Sequence, residues 1–224
     1  MELIRVNHLK KDYQQGVLKI PAVRGVSFSI QKGDFAALVG PSGSGKTTLL
    51  NMIGVLDTPD EGEIFLEDQC LNTLKEKEKT RFRLYHIGFV FQFYNLIPVF
   101  TALENVEYTL MLQGMDKKTR QEKALSLMSE MRIEELKNRF PRELSGGQQQ
   151  RVAVVRALVS NPKVVLADEP TANLDSESAD ILLDIMQEMA VKKETTFLFS
   201  THDKRVMDRA KRLIRLRDGR LEEN

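Results

Sequence analysis

Gly40-Pro41-Ser42-Gly43-Ser44-Gly45-Lys46-Thr47 has the residue types and spacing of a phosphate-binding loop. Its glycines let the backbone come close to an anion, and successive N–H groups form a cradle at a helix start, where the dipole favours negative charge. Lys46 would reach the β and γ phosphates and the Thr47 hydroxyl would ligate Mg²⁺, with Thr48 next along the nucleotide-binding stretch. The plain alternative is a Gly-rich turn before a helix. A complete Gly-Lys-Thr, with an apolar run before it and a helical pattern after it, sets that aside.

Two more groups could do chemistry. Asp168 and Glu169 follow the apolar run Val164-Val165-Leu166-Ala167. An acid there can hold Mg²⁺, and a second carboxylate beside it can orient or deprotonate water. Paired acids after a strand are common in solvated loops. This pair gains meaning from the phosphate loop, because both elements need Mg²⁺ and phosphate. Between them lies Leu144-Ser145-Gly146-Gly147-Gln148, where a serine and two glycines at a helix start expose N–H donors to an anion. In isolation that pentapeptide reads as a helix cap.

The elements that must position these groups alternate along most of the chain. Ile4-Arg5-Val6 and Val26-Ser27-Phe28-Ser29-Ile30 have the period of strands, with a polar loop around Gln14-Gln15-Gly16 between them. Lys32-Gly33-Asp34 is a turn, and Phe35-Ala36-Ala37-Leu38-Val39 is a buried parallel strand feeding the phosphate loop and a helix from Lys46 to about Leu56. The segment from Asp57 to Gly62 closes that helix, and Glu63 to Glu67 returns as a strand. Lys75 to Arg83 is a solvated helix face. Thr101 to Met131 is helical, its Leu and Met stripe belonging to the core. A helix over Ser145 to Ser160 follows, then a strand at Val164–Ala167, a helix at Ala179–Ala190 and a strand at Thr196–Ser200. A helix starts at Lys204, and a hairpin spans Ile214 to Leu221. Such alternation implies a mostly parallel sheet, with the helical middle inserted.

Bulk composition limits the class. Hydrophobic residues at 42% and charged residues at 29% fit a globular chain with a sizeable core. A net charge of +1 gives no electrostatic reason to expect nucleic acid. The single Cys70 excludes an internal disulfide. Ile87 to Phe100 is the nearest approach to a membrane span, too short and broken by Gln92, Asn95 and Pro98. Any pore is therefore expected on another polypeptide. The residues before the first strand have no secretory-signal pattern, and no regulatory domain is expected beyond Asn224.

Taken in order, these motifs resemble the ATP-binding subunits of ATP-binding-cassette (ABC) transporters over nearly the whole length. The resemblance implies an α/β P-loop NTPase fold: a RecA-like, mostly parallel core, an antiparallel β subdomain and an inserted helical subdomain at roughly residues 93–160, all within one nucleotide-binding domain. It implies that Ser145, Gly146, Gly147 and Gln148 bind the γ-phosphate of ATP held by a facing subunit. Tyr13 matches the aromatic residue that stacks on adenine. Gln92 matches the glutamine that contacts Mg²⁺ and links the site to the permease. Asn173, Leu174 and Asp175 resemble the loop touching the facing subunit, and His202 resembles the histidine that hydrogen-bonds the γ-phosphate. Glu169 takes the role of base, Lys46 that of phosphate ligand, and Thr47, Gln92 and Asp168 that of Mg²⁺ ligands. His8 and His86 match nothing in the family.

The resemblance further implies a homodimer sandwiching two ATP molecules, bound at the cytoplasmic face of an inner membrane to permease subunits on separate chains. The stretches Ile53–Gly62, Ile87–Pro98 and Ala167–Asp175 are similar to the lipoprotein-releasing and macrolide-exporter branch, although that family more often has glycine where Ala172 stands. A cell-division ATPase that regulates a wall hydrolase through a membrane partner is the alternative. Phe91 to Phe100 reads either as the permease groove or as core, and a charge at Tyr94 or Leu96 is expected to weaken recruitment while sparing ATP binding.

Overall fold

The computed structural model describes residues 1–222, so the expectation attached to Asn224 lies outside the described residues. Along the chain run β1 (Glu2–Gln15), β2 (Leu18–Gln31), β3 (Phe35–Val39), α1 (Lys46–Ile53), β4 (Glu61–Leu66), β5 (Gln69–Cys70), α2 (Glu76–His86) and β6 (Ile87–Val90). There follow α3 (Ala102–Leu112), α4 (Lys117–Glu130), α5 (Gly146–Leu158), β7 (Val164–Asp168), α6 (Ser176–Lys193), β8 (Thr196–Thr201), α7 (Lys204–Arg209), β9 (Arg212–Arg217) and β10 (Arg220–Leu221). The chain forms two compact units, Met1–Arg83 together with the chain after Thr195, and Leu84–Thr195.

In the first unit, β3 lies between β8 and β9, parallel to both, and β10 turns back antiparallel on β9. All five residues of β3 are buried, as its uninterrupted apolar sequence requires of a strand covered on both faces. Phe35 is paired with Phe197, and its ring centroid lies 4.5 Å from that of Phe199, a tilted contact worth about 1 kcal/mol beyond the area buried. A second sheet, β2-β1-β4-β5, is antiparallel. Its β1 and β2 are 14 residues each, far longer than the expected three- and five-residue strands. Their outer halves carry Lys10, Asp12 and Lys19, exposed polar residues that break the apolar alternation by which a strand is read.

In the second unit, β6 pairs in parallel with β7, from Ile87↔Val164 to Val90↔Ala167. No strand was expected at β6. A Cβ on Gly88 would stand 2.4 Å from the Ala157 carbonyl oxygen, so the glycine lets α5 pack directly on this strand. The expected helix from Thr101 to Met131 is two helices, α3 and α4, broken at Gly114, whose φ is 82°. Thr101 caps α3 in a capping box with Glu104, and Asp116 caps α4 through the Thr119 amide. Of the Leu and Met stripe, Val106, Leu110, Met128 and Met131 are buried core, while Leu103 and Leu125 are half-buried.

Asn105 on α3 fixes the loop that leads into that helix. Fully buried at 0% exposure, it accepts from the Ile97 amide at 2.7 Å and donates to the carbonyls of Ile97, Phe100 and Thr101 at 3.0–3.1 Å. Removing it leaves several buried backbone groups unpaired. Asn105→Ala is therefore expected to cost about 3 kcal/mol of unfolding free energy in urea titrations. A loss below about 1 kcal/mol would mean that water replaces the side chain without penalty.

Candidate functional site

The first unit carries the phosphate loop. Beyond β3, Gly40 and Gly45 admit no side chain: a Cβ would stand 2.1 Å from the Leu216 carbonyl oxygen at Gly40 and 2.4 Å from that of Ala22 at Gly45. Gly45 has a φ of 99° at the N-cap of α1, and no side chain caps this helix. A glycine there brings no side chain to compete for the first-turn N–H groups, the arrangement expected of a phosphate cradle. Lys46 is buried, and its Nζ donates to the carbonyls of Gly40 at 2.8 Å and Pro41 at 3.0 Å. The ammonium is thus held against the loop's own backbone. The Ser44 hydroxyl is buried and has no protein partner among the described residues. Pro41, Ser42 and Gly43 form the exposed lip.

His202 belongs to the same unit. Parallel pairing sets Val39 opposite Thr201, so His202 leaves β8 at the end where Gly40 leaves β3. The imidazole is exposed, and Asp203 after it caps α7 by accepting from the Arg205 amide at 2.9 Å. Tyr13 on β1 also reaches this region. Its hydroxyl donates to Asp57 Oδ2 at 2.7 Å and is hydrogen-bonded by the Thr48 side chain in the first turn of α1.

The second unit gathers the remaining residues. Asp168 ends β7 and Glu169 follows with a φ of 45°, a left-handed conformation costly for a residue with a side chain. The Glu169 carbonyl accepts from the Ala172 amide at 3.2 Å, closing a turn. Because Val90 pairs with Ala167, the chain bearing Gln92 leaves the sheet at the same end as these two acids. Asn173 then ties the two segments together, its amide donating to the Gln92 carbonyl at 2.9 Å. Asp175 N-caps α6; the Ser178 amide and hydroxyl bond its carboxylate and hold it below the usual carboxylate range.

Ser145 is the N-cap of α5 in a reciprocal capping box with Gln148: Ser145 Oγ accepts from the Gln148 amide, and Gln148 Oε1 accepts from the Ser145 amide at 2.9 Å. Both glycines stand close to neighbouring side chains. A Cβ on Gly146 would stand 2.8 Å from the Tyr94 hydroxyl, and one on Gly147 3.2 Å from the Ser178 side chain.

Sequence reasoning missed the residues that hold the Gln92 loop. Gln150 Nε2 donates to the Pro170 carbonyl at 2.8 Å and reaches that of Phe91 at 3.4 Å. The Arg156 guanidinium donates to the carbonyls of Tyr94 and Asn95, two consecutive residues with φ of 56° and 49°. Burial draws the Arg156 pKa down, and two carbonyl partners are what a desolvated guanidinium needs. These anchors bond to backbone, so no motif marks them. A polar residue on the apolar face of α5 is the one signal that points there.

The oxygen donors expected to ligate Mg²⁺ are of the right kind. A hydroxyl from Thr47, an amide from Gln92 and a carboxylate from Asp168 are hard ligands of the type Mg²⁺ takes beside phosphate oxygens.

Residues 23–172 match the profile of the ABC transporter family. The chain is also similar to solved structures of the ATP-binding cassette MJ0796. One, a dimeric post-hydrolysis state bound to ADP and Pi, is 40% identical with a TM-score of 0.91, covering 99% of this chain and 97% of that one. Another, a dimeric structure of MJ0796 as a bacterial ABC transporter cassette, is 41% identical with a TM-score of 0.92 at the same coverage. The shared architecture is the α/β P-loop NTPase fold, with a parallel core, an antiparallel sheet and helices, as the sequence resemblance implied.

Proposed function

The chain belongs to the ABC transporter family, and on that premise we propose that it drives a separate inner-membrane permease through ATP-dependent closure of a homodimer. It is the ATP-binding and ATP-hydrolysing subunit of an ABC transporter. The observation that carries the dimer reading is the 40%-identical cassette, which is dimeric with ADP and Pi bound.

In this reading two chains meet head to tail over two ATP molecules. One chain supplies Lys46, Thr47, Gln92, Asp168, Glu169 and His202, and the other supplies Ser145, Gly146, Gly147 and Gln148, with Asn173, Leu174 and Asp175 at the contact. Tyr13 carries the adenine. Glu169 accepts a proton from a water in line with the γ-phosphorus, the bond to the bridging oxygen breaks, and ADP and phosphate form. Lys46 and His202 offset charge on the γ-phosphate. Mg²⁺ bound through Thr47, Gln92 and Asp168 would neutralise the β and γ phosphates. Loss of the γ-phosphate removes the bridge to the partner's Ser145 helix, and the dimer opens.

Attachment to the membrane is assigned to the permease, at the cytoplasmic face. No helix among the described residues is long and apolar enough to cross a bilayer. The Gln92 loop presents Phe93 at 73% and Val99 at 74% exposure, which favours the groove reading of Phe91–Phe100 over the core reading. Tyr94 and Leu96 are half-buried, and the Tyr94 hydroxyl lies against Gly146, so Phe93 is the cleaner probe. Phe93→Glu is expected to lose co-purification with detergent-solubilised permease while ATP affinity changes by less than about twofold, as for a surface substitution. Retention of a folded Phe93→Glu variant on the permease would remove this surface from the reading. A co-purifying wall-hydrolase regulator would identify the cell-division alternative, and an exporter or lipoprotein-release permease would place the chain in the export branch.

A further inference from the structure

Tyr13 is tied to α1 more firmly than a half-exposed aromatic side chain near a hairpin tip needs to be. The ring is 41% exposed, and Ile20, directly opposite in the β1–β2 register, is exposed as well. A side chain in that setting has few contacts to hold its rotamer. Here its hydroxyl donates to Asp57 Oδ2 at 2.7 Å and is hydrogen-bonded by Thr48. Asp57 is itself fixed, accepting from the Thr58 amide at 2.7 Å and pairing with Lys11 Nζ at 3.1 Å. Lys11 in turn donates to the Thr58 carbonyl at 2.7 Å, lies 3.5 Å from Asp60 Oδ1, and stands 5.5 Å from the centre of the Tyr13 ring.

Resting on the reading of Tyr13 as the base platform, we infer that Asp57, braced by Lys11, is a positioning residue that fixes the Tyr13 ring relative to the phosphate loop. Both anchors of the phenol belong to α1 or its end: Thr48 follows the loop's Lys46 and Thr47, and Asp57 lies just past the helix. The ring and the phosphate cradle are therefore referenced to one rigid element, and the distance between base and phosphates is set before nucleotide arrives. Preorganisation of this kind raises affinity by removing the cost of ordering the ring on binding. The charge pattern agrees. Burial opposes ionisation of Asp57, yet the Tyr13 hydroxyl, the Thr58 amide and Lys11 together hold its carboxyl below the usual range; burial and the Asp57 hydrogen bond push the Tyr13 phenol up.

The test separates base from phosphate by calorimetric titration of the full chain with ADP and with pyrophosphate, each in excess Mg²⁺. Tyr13→Phe keeps the ring and removes the phenol's hydrogen bonds to Asp57 and Thr48. It is expected to weaken ADP by about three- to tenfold, the net worth of such bonds. Asp57→Ala, which leaves the Thr48 bond, should weaken ADP by at least about threefold, and the double variant should match Tyr13→Phe within about twofold, as for one shared interaction. Pyrophosphate affinity should not move. Wild-type ADP affinity in Tyr13→Phe and Asp57→Ala, with a loss of about ten- to a hundredfold in Tyr13→Ala, would keep the platform and overturn the anchor. Wild-type affinity in Tyr13→Ala would overturn the platform and the anchor together. A parallel loss of pyrophosphate would show a damaged phosphate loop and also overturn the inference.

Discussion

Lys46→Ala is expected to abolish measurable ATP hydrolysis and to weaken ATP binding by about ten- to a hundredfold, the range for a hydrogen bond to a charged partner. The ammonium is buried and points at the carbonyls of Gly40 and Pro41, at the base of a cradle whose helix has no side-chain cap. Alanine removes the only side-chain cation of the phosphate loop. Loss of a preorganised donor to a developing charge costs about a hundred- to a thousandfold in kcat, on top of the binding defect. Nucleotide titration and phosphate release measured on one sample check both parts. Hydrolysis within about tenfold of the parent would show that this loop does not hold the reacting phosphates.

Glu169→Gln should separate binding from chemistry. Removal of a general base lowers kcat by about a hundred- to ten-thousandfold and leaves the phosphate cradle intact. ATP affinity should therefore stay near the parent value while turnover disappears. The left-handed backbone at Glu169 holds its side chain away from an ordinary strand direction, and the Ala172 amide fixes the turn that follows. Glutamine fits the same backbone, so circular dichroism and melting should be unchanged. A variant that keeps turnover within about tenfold would move the base to another residue.

The parts legible in the sequence were those with a local cause. Phe35–Val39 has the expected bounds and the helix at Lys204 the expected start, because an unbroken apolar run needs burial and an aspartate before a helix marks its start. The Ser145 cap was readable for the same reason. The long hairpin was not, because Lys10-Lys11-Asp12 lies on strands that meet water, where a polar strand and a loop have the same composition. The break at Gly114 was also hidden, since a glycine inside a helical stripe is tolerated often enough to be passed over.

The site divides along the same line. Lys46, Thr47, Asp168 and Glu169 announced themselves through residue type and order. Gln150, Arg156, Asn105 and Asp57 act on backbone carbonyls, backbone amides or a single phenol. The partners of Gln150, Arg156 and Asp57 come from distant points of the chain, those of Asn105 from the loop just before its helix, and none carries a spacing rule. Asp57 read as part of a helix-closing turn, and only the folded hairpin brings Tyr13 to it.

Closure of two chains over ATP is the central claim, and the mass of Glu169→Gln in solution tests it most directly. Multi-angle light scattering with saturating Mg²⁺-ATP should give twice the chain mass, falling to the single-chain mass with Mg²⁺-ADP. A Glu169→Gln chain that binds ATP yet keeps the single-chain mass at all nucleotide concentrations would contradict the claim.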